Sequence, residues 1–509
     1  DGEDILLIYD NARNPGSLLN LMPRRGAAHL LITSNALDVG EHRHIVLKFW
    51  PKDLAADYLL EHAASKRFPP HLSLAPGRDY LSERADAEAL SEAFEGLPFA
   101  LALLAAFSRK TGMSLSELRH RHATGRLDGA IGPLKQVIAL AIDEASKIHN
   151  GAELLLKYAA LLQPEPIPLY LFSEGAEFFC EHSTHFGDDA LDNAISALRS
   201  FGLIERNDIP DQRRPDEKTD CIRLHRVVRD VAAARWSDAE QKHARAHLIA
   251  AMTRAYPQND YSVVKTWPRV RRLDAHALAL VSDNAVPAKA EEDASDLMDK
   301  LGCFRSSSEA AYMQARPLFE CALRLRTKLH GTDSLAVAAS LSNLALLNGA
   351  QGNAADARSQ CERALAIRES ALGGNHPDVA SNLVNLARIL RDSAQPSSAR
   401  MARRHCDRAL KIYEASVGPD HPDVATCLST NVRLLLAEKK YKAAEPLSIR
   451  ALSIYENAFQ PDHPAIAGAL VNVADVWEGL GDGDKAIAYL QRALDIHKRV
   501  LGSHPTTAS

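Results

Sequence analysis

No two cysteines of this sequence stand in Cys-x-x-Cys spacing; the seven are scattered at 180, 221, 303, 321, 361, 406 and 427. That gives neither a zinc ribbon nor a disulfide framework, and free thiols in a reducing compartment are expected. No apolar run reaches membrane-spanning length. The longest, GLPFALALLAAF (96–107), has the size of a core helix. Nothing near the start reads as a signal peptide, so a cytoplasmic chain with no membrane partner is expected. Charge of neither sign dominates: 60 Lys and Arg face 65 Asp and Glu, a net −5 too mild for a nucleic-acid binder. The HExxH, GxSxG and Cys/His protease patterns are missing. So is GxxxxGK[ST], the loop whose backbone N–H groups cradle nucleotide phosphates. What remains is 509 residues with ordinary globular composition, enough for about three or four domains.

The C-terminal half repeats itself. ERALAIRESALGGNHPDVA, DRALKIYEASVGPDHPDVA and IRALSIYENAFQPDHPAIA are variants of one phrase. Its central alanine falls at Ala322, Ala364, Ala409, Ala451 and Ala493, with spacings of 42, 45, 42 and 42. The three extra residues sit in the turn-rich RDSAQPSSARMA (391–402). Each unit reads as two helices. Leu383, Leu386, Ala387 and Leu390 mark one apolar stripe at helical spacing. Gly374 and Gly418 stand where a helix should stop. His-Pro pairs at 376–377, 421–422, 463–464 and 504–505 put proline in a first turn, where its missing N–H has no partner to lose. Asp378 and Asp423 follow, where negative charge suits the helix dipole.

This pattern resembles the tetratricopeptide repeat (TPR) of the kinesin-light-chain type, five units from about residue 292 onward. No helix pair buries its own apolar face, so stacking must create the core and a superhelical groove. In such proteins the first helix lines the concave face. Asn343, Asn385 and Asn472 share one slot of that helix, with Thr430 in the remaining unit. An asparagine amide there both donates to and accepts from a peptide backbone. Arg388, Arg433 and Asp475 follow one helical step on. The resemblance implies a protein or peptide ligand at these six residues; a solvated face or inter-repeat hydrogen bonding is the alternative.

In the N-terminal half, LLIYDNA (6–12) and HLLITSN (29–35) read as parallel strands of an α/β sheet, with IVLKF (45–49) a third candidate. AFEGLPFALALLAAF (93–107) starts an apolar helix at Gly-Leu-Pro. Residues 190–232 read helix, strand LIER, polar loop NDIPDQRRPDEKTD, strand CIRL, helix: a winged helix. The order of the pieces resembles the NB-ARC module of STAND-type signalling ATPases. TWPRVRRLDAHALAL (266–280) resembles the connector that precedes TPR repeats in bacterial members. Carried over residue by residue, Asp10 matches the Walker B acid that positions Mg²⁺. Thr33 and Ser34 lie on the sensor strand, Pro98 packs on adenine, and His225 reads the β-phosphate of ADP. Asn11 replaces a second acid, Asn35 an arginine, and Arg226 an acidic residue of the family patterns. An amide cannot act as a carboxylate base, so at most slow hydrolysis is implied. Without the phosphate loop, tight ATP or ADP binding is not expected of these residues. A start downstream of that loop is the preferred reading, a degenerate scaffold the alternative. A capping or core histidine is the alternative for His225.

The expected fold class is mainly α: part of an α/β nucleotide-binding domain (1–50), a helical domain (51–135), a winged helix (136–240), a helical connector (241–291) and a TPR solenoid (292–509). The function implied by the resemblance is a nucleotide-regulated sensor. ADP at rest and Mg²⁺-ATP when active would set the clamp, TPR ligand binding would bias it, and activation would bring self-association. An effector domain would lie upstream, as in relatives that act in bacterial defence. The alternatives are a plain peptide-binding scaffold and a DNA regulator using Arg206, Arg213, Arg214 and Arg223 of the wing. CEHSTHF (180–186) has no fourth ligand, so zinc is not expected at Cys180, His182 and His185. The basic LRHRHATGRLDG (118–129) reads as a solvated helix end.

Overall fold

The computed structural model describes residues 5–9, 28–32, 49–63, 80–124, 132–179, 186–211, 214–257, 266–282, 286–308, 311–391 and 396–501. The described chain is mainly helical. Two strands come first, β1 (Ile5–Tyr9) and β2 (Ala28–Ile32), paired parallel from Ile5 opposite Ala28 to Tyr9 opposite Ile32. Of the third candidate strand only Phe49 lies within the described residues, and it is exposed and not in a strand.

Helices α1 (Lys52–Ala63), α2 (Tyr80–Ala93), α3 (Pro98–Thr111) and α4 (Leu115–Ala123) follow, burying Leu59, Leu90, Leu101, Leu104 and Phe107. The turn into α3 is set by crowding. Gly96 has φ +64°, and a Cβ there would lie 2.3 Å from the Trp50 carbonyl oxygen. Only glycine accepts both conditions.

The next unit comprises α5 (Pro133–Ile148), α6 (Gly151–Ala160), β3 (Ile167–Pro168), α7 (Tyr170–Ser173), α8 (Asp188–Ser200), β4 (Ile204–Pro210), β5 (Lys218–Leu224) and α9 (Arg226–Ala234). Its sheet is antiparallel, in the order β3-β5-β4. Here the sequence expectation needs correcting. Both ends of the segment read as a long polar loop are strand, with pairing continuing to Pro210 opposite Lys218. The hairpin tip has no apolar alternation because much of both its faces meets water. Cross-strand charge supports the pairing instead: Arg206 Nη2 donates to Asp220 Oδ2 at 2.6 Å and Nη1 to Asp192 Oδ1 at 2.7 Å. Beneath it, Tyr158, Phe172, Phe179 and Phe186 form a fully buried aromatic cluster, with the Phe179 and Phe186 centroids 4.4 Å apart.

Two connecting helices, α10 (Asp238–Ala255) and α11 (Trp267–Ser282), lead into the repeats. α10 starts with a capping box between Ser237 and Glu240. The repeats are antiparallel helix pairs: α12 (Glu291–Ser308) with α13 (Tyr312–His330), α14 (Leu335–Ala350) with α15 (Ala354–Leu372), and α16 (Pro377–Arg391) with α17 (Pro396–Ser416). Then come α18 (Pro422–Ala437) with α19 (Tyr441–Ala458), and α20 (Pro464–Leu480) with α21 (Gly483–Leu501). The recurring alanines are at most 2% exposed, so they are the points of closest helix approach. The His-Pro pairs have a double role. Proline takes the first turn, while His376, His421 and His463 cap it, each Nδ1 accepting from the N–H two residues on at 3.1, 3.2 and 3.2 Å. One stop signal is displaced. The left-handed residue after α15 is Gly373, at φ +84°, not Gly374; it is the counterpart of Gly418 at +94°.

The apolar core divides. One continuous cluster runs from Ala55 to Ala322, through the connector and into the first repeat. The largest cluster of the later repeats runs from Ala345 to Ile496. A seam therefore separates the two clusters.

Candidate functional site

At that seam lies a cleft of about 610 Å³. One wall comes from the connector and first repeat: Thr253 and Arg254 of α10, with Asp293, Asp296, Asp299 and Lys300 of α12. The other comes from later repeats: Ser342 and Asn343 of α14, Arg368 of α15, Ser381 and Asn385 of α16. Arg326 of α13 lies between them.

Most of the charge on the first wall is already engaged. The buried Arg326 donates to Asp296 Oδ1 at 2.6 Å, to Ser340 Oγ at 2.7 Å and to Asp299. Burial pushes the Asp299 carboxyl up, against the downward pull of Arg326. Lys300 Nζ donates to the carbonyls of Thr253 at 2.6 Å and Tyr256 at 3.3 Å, tying the C-terminal end of α10 to α12. Its pKa is lowered by burial. On the second wall Arg368 Nη1 donates to Ser342 Oγ at 3.0 Å, and burial lowers its pKa too.

The expected ligand-facing residues separate into two groups. Asn343 and Asn385 line the cleft together, and Asn343 also hydrogen-bonds Asp299. Arg388, Arg433, Asn472 and Asp475 are not in its lining. Arg388 is exposed on the array. Arg433 Nε donates to Asn472 Oδ1 at 3.2 Å, linking neighbouring repeats, and Asn472 is buried. Asp475 is raised by desolvation and held down in part by Arg433. Thr430 is buried and donates to the Thr426 carbonyl at 3.0 Å.

Sequence reasoning missed Arg326 and Arg368. A signal was present: the residue four after the repeat alanine is Arg326, Arg368, Tyr413 and Tyr455 in successive units. In each of these four units the slot reaches a hydroxyl on a first helix. Arg326 meets Ser340, Arg368 meets Ser342, Tyr413 meets Ser381, and the Tyr455 hydroxyl lies 2.8 Å from Thr426 Oγ1.

Of the expected nucleotide residues, Asp10, Thr33 and Ser34 lie outside the described residues, as do Asn11, Asn35 and the Cys180, His182, His185 cluster. Among the described residues no group of three His, Cys, Asp or Glu side chains suits a metal ion. Pro98 is the first residue of α3. His225 caps α9, its Nδ1 accepting from Val227 N–H at 3.3 Å, and its ring stacks on Phe99, the residue after Pro98. Phe99 and His225, distant in sequence, therefore meet. Because Nδ1 accepts, the proton is assigned to Nε2. Burial, then Arg226, lowers the pKa of His225, which keeps the ring neutral.

A family model for the tetratricopeptide repeat matches 311–360, 341–402, 399–457 and 431–499. The C-terminal array is a TPR solenoid. A solved STAND protein with a tetratricopeptide repeat sensor, from Pyrococcus horikoshii, covers 98% of this chain at TM-score 0.55 and 15% identity. The alignment spans 63% of that protein. The likeness shows a shared fold across both the TPR array and the preceding half. BtubC from P. vanneervenii matches 49% of this chain and 94% of its own, at 22% identity and TM-score 0.36. Rap protein complexed with competence and sporulation factor matches 89% and 99%, at 14% identity and TM-score 0.35. Comparison with curated proteins gave no match. No helix among the described residues is long and apolar enough to cross a membrane.

Proposed function

We propose that this chain is the switch-and-sensor part of a nucleotide-regulated signalling protein, in which the TPR array captures a protein segment and reports it to the N-terminal half. One observation carries the reading: the cleft has one wall from the connector and first repeat and the other from later repeats. A segment bound to Asn343 and Asn385 also lies against α10 and α12, which share a core with the N-terminal half. Binding energy then biases the seam between the two cores, and the two halves are thermodynamically linked.

Nucleotide enters as part of this proposal. His225 offers a neutral Nε2–H donor at the N-terminal end of α9, its ring stacked on Phe99, and the donor and the helix start both favour a phosphate-bearing ligand. ATP or ADP with Mg²⁺ would also need Asp10, Thr33 and Ser34 and a phosphate cradle. GxxxxGK[ST] is absent from these residues, so the fit is partial. On the wing, Arg206 is paired with Asp192 and Asp220, and Arg214 with Glu217, which leaves less uncompensated positive charge there than the sequence alone offers.

Amide hydrogen exchange of the chain with a peptide selected from a random display library tests the sensor reading. Protection is expected in α10 and α12 as well as α14 and α16, with Asn385→Ala weakening binding about tenfold. Protection confined to α14–α21 overturns the linkage. Binding indifferent to Asn343→Ala and Asn385→Ala overturns the site.

A further inference from the structure

We propose that the cleft selects an extended peptide of mixed charge, seating one side-chain carboxylate on Arg368 and a basic side chain against Asp293. The proposal rests on the sensor reading above and specifies the chemistry of its ligand.

Most charges in the cleft are already neutralised. Asp296 and Asp299 are held by Arg326. Lys300 is committed to two carbonyl oxygens. Arg254 is exposed, where water and salt screen it. Two half-buried charges remain. Arg368 makes no ion pair among the described residues and has one hydrogen bond, to Ser342 Oγ. Asp378 is felt electrostatically but stands beyond ion-pair distance, beside His376 at 3.7 Å. On the facing wall, Asp293 has no cation partner among the described residues, and its acidic neighbours Asp296 and Glu292 add to the cost of its charge.

A half-buried cation without a counter-ion is expensive to keep. The repeats also show the cheaper solution: Tyr413 and Tyr455 fill the same slot with a neutral ring. Arg368 has further N–H donors in a fork that matches a carboxylate. Among the described residues it is the only charged one lining its wall, where Asn343, Asn385 and Ser381 supply neutral hydrogen-bonding groups. The acidic groups across the cleft argue against a run of acids, because such a ligand would face Asp293, Asp296 and Asp299 together. One acid followed by one base satisfies both walls.

The test is selection of a phage-displayed random dodecapeptide library on the full chain, with sequencing of the bound pool. Enrichment of peptides carrying one Asp or Glu and one Lys or Arg is expected. Arg368→Gln should remove the acidic preference alone and lower affinity for a mixed-charge peptide about tenfold, while Arg368→Lys restores the preference. Asp293→Asn should remove the basic preference alone. Circular dichroism melts of each variant separate lost recognition from lost folding. Pools of acidic runs or of uncharged peptides overturn the proposal. So does an acidic preference that survives Arg368→Gln. If Asn385→Ala abolishes binding while the charge variants leave the pool unchanged, this inference alone falls. If none of the variants matters, the sensor site falls with it.

Discussion

The imidazole of His225 lies flat on the ring of Phe99, with centroids 3.8 Å apart and planes 14° from parallel. The same imidazole caps α9 through Nδ1. One side chain thus fastens the start of α9 to the start of α3, adding to the continuous core that joins the two helical units. Losing both contacts in His225→Ala should cost about 1–2 kcal/mol. His225→Asn, which retains a cap acceptor, should recover about half. Thermal unfolding measures both, and an unchanged melting temperature in the alanine variant would show that the contact contributes nothing.

Arg326 and Asp299 are both buried and paired across α12 and α13. Removing one partner strands the other. Arg326→Leu should destabilise the chain by about 3–5 kcal/mol in urea unfolding. The double variant Arg326→Leu/Asp299→Leu should regain most of that loss, since no buried charge is then left alone and Asp296, which also loses Arg326, is exposed to water. A double variant as unstable as the single would contradict this account.

Two helical glycines have opposite expectations. A Cβ on Gly302 would lie 2.6 Å from Phe319 Cε1 across the first helix pair, whereas one on Gly468 in α20 meets nothing within 4 Å. Gly468→Ala should therefore stabilise by about 0.5–1 kcal/mol through helix propensity. Gly302→Ala gains the same term but forces the ring aside, at about 1–3 kcal/mol, and should be neutral to destabilising. Phe319→Leu should relieve the second change and leave the first unaffected. Paired thermal melts decide between these outcomes.

His276 is fully buried, its Nε2 donating to the Pro166 carbonyl at 3.2 Å while Nδ1 has no partner among the described residues. Burial lowers its pKa from 6.5 to about 4. The unfolded chain therefore takes up this proton first, and folding stability drops as pH falls from about 6.5 through about 4. The loss is on the order of 3 kcal/mol, and the stabilising effect is fully present above pH 6.5. His276→Gln can still donate to Pro166 and does not titrate, so its denaturation midpoint should fall less over that window. Equal pH slopes in the two proteins would remove His276 from the acid response.

Much of the repeat array is legible in one dimension. The spacing of Ala322, Ala364, Ala409, Ala451 and Ala493, the apolar stripe of α16, and proline followed by Asp378 or Asp423 at helix starts all act within a few residues. Helical period, proline's missing N–H and the end dipoles are properties of the local backbone, so they survive without knowledge of any neighbour. The inner strands LIER and CIRL are legible in the sequence, but the outer part of the β4–β5 hairpin is illegible for the converse reason. Its tip carries no apolar alternation, and the Arg206–Asp220 pair exists only once the strands lie side by side.

The cleft belongs wholly to tertiary packing. Thr253, Asp293, Arg368 and Asn385 come from four helices spread over more than a quarter of the chain, and no local rule brings them to one wall or another. Nor does a repeat pattern distinguish Asn385, which lines the cleft, from Asn472, which is buried under Arg433. Equivalent residues have equal local preferences; their environments differ because the array ends against the connector on one side and continues on the other. Periodicity specifies that helices stack. Which side chains then meet, which charges are neutralised and which are left for a ligand follow from the faces that close packing brings together.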